Sequence, residues 1–251
     1  QQQEVLNFVK VISKELDIHG LLNIQFVLRG GVFWIIEANP RASRTVPIVS
    51  KISKLPVIDM AVGVALGERL RDMPYGTGLY PETGQWSVKV PVFSNDKLPG
   101  LDPKLGPRMM STGESLGVAD NLADAIMDGL KGSGWLPPAV GRILMSIADS
   151  EKSEAMPVAS QYKMLGWEID ATEGTAAYLK KWGIAVNPVE REELVHRLRA
   201  GEWDLVLNIP GGNERHIADG AMIRKQACAA GTPCLHSIAA AWAVAAGLNS
   251  R

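Results

Sequence analysis

The sequence contains few of the residues from which metal centres and disulfide frameworks are built. Its 251 residues include two cysteines, Cys228 and Cys234, and four histidines. The cysteines lie in an apolar, alanine-rich stretch, and neither they nor the scattered histidines have the spacing of a zinc site. This usage argues against a zinc centre and a disulfide framework, and it predicts a reducing, cytoplasmic environment.

An excess of charge of one sign and a long hydrophobic run are also missing. Lysine and arginine number 26 against 27 acidic residues, a net charge of -1. That balance predicts neither a nucleic-acid partner nor an anionic membrane surface. No apolar run reaches the roughly 18 to 20 residues of a membrane helix, and 238–248 is expected to be a short buried helix.

The first residues have neither a starting methionine nor the pattern of a cleavable signal. From the start they have the spacing of an amphipathic helix, with apolar residues at Val5, Phe8, Val9, Ile12 and Leu16. We therefore expect the chain to be part of something longer.

The composition changes at 131–141, KGSGWLPPAVG, where glycine, serine and paired prolines interrupt regular structure. This change predicts a domain boundary. The predicted domains are 1–135 and 136–251. The first reads as α+β, with a helix, two adjacent strands, helical stretches at 46–53 and 57–66, and loop-rich sequence around 85–93 and 109–118.

The second part alternates between short apolar strands and segments of helix length. Such alternation predicts a five-stranded, parallel, doubly wound α/β sheet, because parallel neighbours require crossover connections. The predicted strands are 142–148, 167–172, 184–189, 204–209 and 233–236, and the helices are 154–165, 174–182, 192–200, 218–230 and one from 238.

The stretch 21–44 contains a hairpin signal, two β-rich runs on either side of Gly30-Gly31. Register decides its chemistry, because side chains alternate between faces along a strand. A two-residue turn pairs Ile24 with Glu37, whereas a three-residue loop at 30–32 pairs Gln25 with Glu37.

We favour the three-residue loop, because the other register buries the Glu37 carboxylate among apolar side chains. Gln25 and Glu37 then share a face, and Asn39 follows on the same side. The predicted apolar face consists of Ile24, Phe26, Leu28, Trp34 and Ile36, and the other face consists of Gln25, Val27, Arg29, Phe33, Ile35 and Glu37.

One carboxylate and two amide oxygens are hard ligands that suit Mg²⁺ or Mn²⁺, ions that commonly hold nucleotide phosphates. Arg41 and Arg44 lie close enough in sequence to neutralise phosphoryl oxygens. From the residue types alone an exposed hairpin end, with a surface pair between Glu37 and Arg41, explains the pattern as well.

The run IIEANPRASRTVPIVSK closely resembles the metal-binding segment of ATP-grasp ligases, and KVPVF, LDPKLGP and STGESLGV resemble the carbamoyl-phosphate synthetase large subunit. The resemblance implies the end of the second, carbamate-phosphorylating ATP-grasp domain, a ligase with ATP as substrate and Mg²⁺ or Mn²⁺ as cofactor. It places the bridging metal carboxylate at Glu37, the flanking ligands at Gln25 and Asn39, and the phosphate-stabilising arginine at Arg41.

The same resemblance implies partners and substrates. The remainder of the large subunit would supply the other half of the ATP site, and a glutamine amidotransferase subunit or domain would supply ammonia, with bicarbonate as the other substrate. The chain alone is expected to be inactive.

In the second part, polar clusters fall at the carboxyl ends of predicted strands, where open parallel sheets bind ligands. Thr172 could cap a helix, and the glycines after Asn208 could only turn the chain. The domain resembles the methylglyoxal-synthase-like regulatory domain of the same large subunits, which implies a nucleotide monophosphate effector. The matching positions are Lys152, Thr172, Thr175, Arg191 and Asn208.

Several positions depart from the family pattern. Val90 stands where ornithine-activated members have glutamate, Glu173 where histidine is usual, and Pro210 where a hydroxyl residue is usual. The polar stretch at 190–193 is shortened. These departures predict an altered or lost effector response, and the residues at 210–214 lack the aspartate motif of methylglyoxal synthases.

Two other functions remain open from the sequence. The chain could be a separate regulatory module with a vestigial hairpin, or part of another ATP-grasp ligase that has acquired a nucleotide-sensing domain.

Overall fold

The computed structural model describes residues 1–93, 102, 104, 111–211 and 214–250. The chain forms two compact units, Gln1–Gly84 and Gln85–Arg251. Within the described residues no helix is long and apolar enough to cross a membrane.

The first unit contains a two-stranded antiparallel hairpin and three helices. Helix α1 packs on the hairpin through aromatic rings, with 6.1 Å between the ring centroids of Phe8 and Phe26 and the same distance between Phe26 and Phe33. The predicted mixed α+β character is thus present. The elements are α1 (Gln2–Glu15), β1 (Asn23–Arg29), β2 (Val32–Asn39), α2 (Thr45–Ser53) and α3 (Val57–Ala65).

The hairpin turn has two residues, so the predicted three-residue loop is wrong. Gly30 and Gly31 have φ angles of 58° and 79°, and glycine adopts such positive angles without steric cost. A β-bulge then leaves Ile36 without a cross-strand partner and shifts the register by one residue. Gln25 therefore still lies opposite Glu37, as predicted, but the bulge and not the turn brings it there.

The bulge also changes which apolar residues share a face. Phe33 and Ile35 lie on the face of Phe26, whereas Trp34 pairs with Val27 on the face of the polar pair. The predicted placement of these β2 residues is therefore wrong. Trp34 is 61% exposed, so the hairpin face that carries Gln25 and Glu37 also presents a large apolar side chain.

The second unit is built around a five-stranded sheet whose neighbouring strands are all parallel, as predicted. Its order is β7-β6-β5-β8-β9. The strands are β5 (Arg142–Ile147), β6 (Glu168–Thr172), β7 (Asn187–Val189), β8 (Leu205–Ile209) and β9 (Cys234–Leu235), and the helices between and after them are α5 (Lys152–Met164), α6 (Glu173–Lys181), α7 (Arg191–Arg199), α8 (Glu214–Ala229) and α9 (Ile238–Asn249).

Alternate side chains of the central strands fill two cores. Ile143 and Met145 point to the core formed with α5, α6 and α9, whereas Leu144 and Val206 point to the core formed with α7 and α8. Burial on both faces explains why these strands read as continuous apolar runs.

The unit also contains a second hairpin, β3 (Trp86–Val92) and β4 (Gly113–Ala119), followed by α4 (Leu122–Gly132). We expected loop-rich sequence here, and that expectation is wrong. Gly117 in β4 is required by packing, because a side chain there would overlap the backbone of Ala125 and Gly129 in α4.

Helix α4 packs against α9, so the compact unit begins at Gln85, earlier than the predicted domain boundary after residue 135. As a boundary between the two family domains, that position stays a prediction.

Candidate functional site

Three polar side chains converge on the β1–β2 hairpin. Glu37 Oε1 accepts hydrogen bonds from Gln25 Nε2 at 3.0 Å and from Asn39 Nδ2 at 2.8 Å. The predicted set is thus brought together in the first unit, on the face predicted for it. Its role as a metal site stays a prediction.

The donor set fits a hard divalent cation. Turning an amide group by half a rotation exchanges its NH₂ and its oxygen, so Gln25 and Asn39 can each present an oxygen beside the Glu37 carboxylate. Across the part of the chain that the structure describes, no group of three or more His, Cys, Asp or Glu residues is placed to hold a metal ion. A site that uses amide oxygens is therefore the candidate there.

The two predicted phosphate-binding arginines follow this triad. The Arg41 amide donates to the Asn39 carbonyl at 2.9 Å, and its Nη1 donates to the Ala42 carbonyl at 3.0 Å. Arg41 also lines an open cavity of about 490 Å³ in the same unit, with Asp17. Arg44 is exposed and immediately precedes α2.

A second cavity, of about 400 Å³, lies at the carboxyl ends of the parallel strands. The chain order reverses there, because β5, β6 and β7 run outward in one direction and β8 and β9 in the other, which is where open sheets form a crevice. The cavity lining includes all five predicted effector residues, Lys152, Thr172, Thr175, Arg191 and Asn208.

The two threonines of this cavity have different surroundings. Thr175 is buried, and its Oγ1 lies 3.0 Å from the Ile147 amide and 3.3 Å from the Thr172 hydroxyl. The Thr172 side chain is half-buried and makes no capping hydrogen bond within the described helix α6. Thr175 thus ties α6 to β5, and Thr172 is the hydroxyl better placed for a ligand.

Both predicted cations of the cavity are already paired with carboxylates. Lys152 is buried, and its Nζ lies 2.6 Å from Asp149 Oδ1 and 2.8 Å from the Gly174 carbonyl. Arg191 Nη2 lies 2.6 Å from Asp219 Oδ1. An anionic ligand must share these cations with the carboxylates or displace them.

Glu173 adds further negative charge to the lining, and the weaker phosphate binding expected from it stays a prediction. Asp149 and Asp219 were not predicted. Each is one of several acids in a polar stretch, and only the fold shows which of them faces the cavity.

Asn208 is 1% exposed, and its Oδ1 accepts a hydrogen bond from Arg224 Nη1 at 2.8 Å. Arg224 in turn contacts Asp102, which lies 122 positions away in sequence. Neither residue was predicted, because no local pattern marks partners at this separation.

At the position that departs from ornithine-activated members, Val90 packs against the main core of the second unit. The neighbouring Lys89 Nζ lies 3.1 Å from Glu114 Oε1 across β3 and β4. This ion pair gives the Lys89 ammonium a carboxylate partner.

Two parts of the sequence prediction concern residues that are largely not described. The LDPKLGP run is described at Asp102 and Lys104 alone, and residues 212–213 of the 210–214 stretch lie outside the described residues, as does the side chain of His216.

Comparison with known proteins gives two family matches. Residues 1–73 match the carbamoyl-phosphate synthase L chain ATP binding domain, and residues 154–236 match the MGS-like domain.

Curated relatives align over nearly the whole chain. The carbamoyl phosphate synthase large chain of Lachnoclostridium phytofermentans is 36% identical over 254 residues, covering 99% of this chain and 24% of the relative. Those of Clostridium botulinum and Clostridium perfringens are 41% and 42% identical over 232 residues, covering 90% of this chain and 22% of each relative.

The chain thus spans about a quarter of the length of these relatives. The ATP-binding segment followed by the MGS-like domain, together with these alignments, places the chain in the carbamoyl phosphate synthase large-chain family.

Proposed function

We propose that the chain supplies part of the ATP site of a carbamoyl phosphate synthase large chain, the site that phosphorylates carbamate. The convergence of the Gln25 and Asn39 amides on the Glu37 carboxylate carries this proposal. Mg²⁺ or Mn²⁺ held by these residues would bind the ATP phosphates and offset their negative charge.

The residues of the chain have distinct roles in this proposal. Glu37 is the charged ligand, and the amides of Gln25 and Asn39 supply the neutral oxygen ligands on either side of it. Arg41 and Arg44 place positive charge near the phosphoryl group that is transferred. The rest of the large chain completes the site, and a glutamine amidotransferase subunit provides ammonia for reaction with bicarbonate.

Glu37→Gln tests the metal assignment directly, because it removes the negative charge and keeps the shape. Mn²⁺ binding to the chain can be followed by the loss of the electron paramagnetic resonance signal of free Mn²⁺. We expect Glu37→Gln to weaken Mn²⁺ binding at least about 10-fold. Glu15→Gln, the same change at an exposed position of α1, should leave binding unchanged.

The same pair of variants tests the reaction once the chain is joined to the remaining parts of a large chain. ATP-dependent carbamoyl phosphate formation should collapse in Glu37→Gln and persist in Glu15→Gln. Full activity of Glu37→Gln would refute the metal assignment. Lack of activity with all versions would favour a separate regulatory module or another ATP-grasp ligase.

We also propose that the cavity of the second unit binds a nucleotide monophosphate as an effector. Its support is the convergence of the Lys152 ammonium, the Thr172 hydroxyl and the Asn208 amide on one crevice at the strand ends. Titration calorimetry with uridine and inosine monophosphates tests this. Absence of heat with both would contradict the assignment.

A further inference from the structure

Asp102, Arg224 and Asn208 form a chain of hydrogen bonds that ends at the cavity of the second unit. Arg224 donates from Nε to Asp102 Oδ1 at 2.7 Å and from Nη2 to Asp102 Oδ2 at 2.7 Å. Its Nη1 donates to Asn208 Oδ1 at 2.8 Å. Asn208 lines the cavity, whereas Arg224 is not among the described residues that line it.

Burial makes this arrangement rigid. The Arg224 side chain is 2% exposed, and a buried guanidinium is strongly unfavourable unless its donors are paired. Burial alone would raise the pKa of Asp102, but hydrogen bonds from Arg224 and the Lys104 amide, with nearby positive charge, hold that pKa below its ordinary value. Asp102 is therefore ionised at neutral pH and keeps Arg224 paired.

The pairing also fixes the Asn208 amide. Because Oδ1 accepts from Arg224, the NH₂ group is directed away from that arginine. Gly220 in α8 leaves the necessary space, since a Cβ there would lie 3.1 Å from Arg224 Nη1 and 3.2 Å from Asn208 Oδ1. The group that Asn208 offers to a ligand is thus a donor, suited to a phosphate or carbonyl oxygen.

We propose that Asp102 and Arg224 are positioning residues of the effector cavity, which orient the Asn208 amide for a ligand. This inference rests on the proposed effector function. A ligand that binds the oriented Asn208 amide stabilises that orientation and the contact that imposes it. By linkage, removing the contact weakens ligand binding by the same coupling free energy.

Calorimetric titration of the full chain with inosine and uridine monophosphates tests the inference. Asp102→Asn keeps the size of the side chain and removes its charge. We expect it to weaken binding about 10-fold or more, the range for a lost charged hydrogen bond. Glu168→Gln is the matched control, because Glu168 also pairs with an arginine, Arg142, but at the opposite end of β6. It should change the affinity less than about twofold.

Two changes at Arg224 separate positioning from charge. In an Arg224→Met background, Asp102→Asn should have no additional effect, because its route to Asn208 is gone. Arg224→Lys keeps the charge but cannot reproduce three hydrogen bonds in a fixed plane, so it should not restore the affinity. Equal losses from Asp102→Asn in both backgrounds would overturn the inference, as would wild-type affinity in Asp102→Asn.

Nuclear magnetic resonance of the side-chain amide of Asn208, assigned by its loss in Asn208→Ala, tests the positioning without a ligand. Asp102→Asn should move this signal, and Glu168→Gln should not. An unmoved signal would refute the inference even if nucleotides bind. Failure of wild-type protein to bind either nucleotide, with a signal that does move, would refute the effector proposal and leave the positioning established.

Discussion

The buried carboxylate of Asp170 in β6 allows a quantitative test of what holds the second unit together. Its Oδ2 accepts from Arg197 Nη2 at 2.9 Å and Trp203 Nε1 at 3.0 Å, and its Oδ1 accepts from Asn187 Nδ2 at 3.0 Å. The Asp170 side chain is 3% exposed. Asp170→Ala therefore leaves a charged donor and a buried indole N–H without an acceptor.

The expected loss of unfolding free energy in Asp170→Ala follows from these contacts. Breaking a buried, hydrogen-bonded ion pair costs about 3 to 5 kcal/mol, with the unpaired donors supplying much of it. Arg197 has a second partner, Glu202, at 2.8 Å, whose side chain is 37% exposed. Glu202→Gln should cost less than about 1 kcal/mol, because solvent screens that pair. Each variant thus removes one carboxylate partner of Arg197, and Asp170→Ala in addition removes a buried acceptor of two other side chains.

Native-state hydrogen exchange of the β5 and β8 amides measures the free energy of opening of the second unit without assuming that both units unfold together. Asp170→Ala should lower this free energy of opening by about 3 kcal/mol more than Glu202→Gln does. Similar, small losses in the two variants would refute the claim that the Asp170 contacts stabilise the sheet.

Two further predictions concern packing and pH. Gly117→Ala should destabilise the second unit by about 2 to 3 kcal/mol or more in the same exchange measurement, because the added methyl overlaps the carbonyl oxygen of Ala125. Burial lowers the pKa of His236, and the charge of Arg224 lowers it further, against an opposing effect of Asp102. The unfolded chain therefore binds more protons near pH 6, so the free energy of unfolding should fall as pH drops through about 6.5. His236→Gln should flatten that fall, and an unchanged pH profile would contradict the shift.

The sequence predicted the parts of the fold that depend on local periodicity. The five parallel strands follow from apolar runs that alternate with helix-length segments, and the structure contains all five. The strand β4 was not predicted. Gly117 within it serves the contact with α4, and that contact exists only once the two elements meet.

The candidate sites were predictable to the extent that they depend on one strand end or one hairpin. The five effector residues of the second cavity were matched through the family resemblance, and strand ends that meet at one edge of a parallel sheet predicted only the general location. The contact between Asp102 and Arg224 could not be predicted, because it depends on how a distant connection packs. Asp149 and Asp219 could not be predicted either, because only the fold shows that they face the cavity and pair with its cations.

The bulge at Ile36 shows that one interval along the chain can arise from two backbone arrangements. Gln25 and Glu37 are 12 residues apart, and a two-residue turn plus one bulged residue gives the same pairing as a three-residue turn between regular strands. A residue can thus move between turn and strand while the pairing of Gln25 with Glu37 stays constant. A search pattern based on this interval would match both arrangements, but it would not show which apolar side chains share a face with the pair.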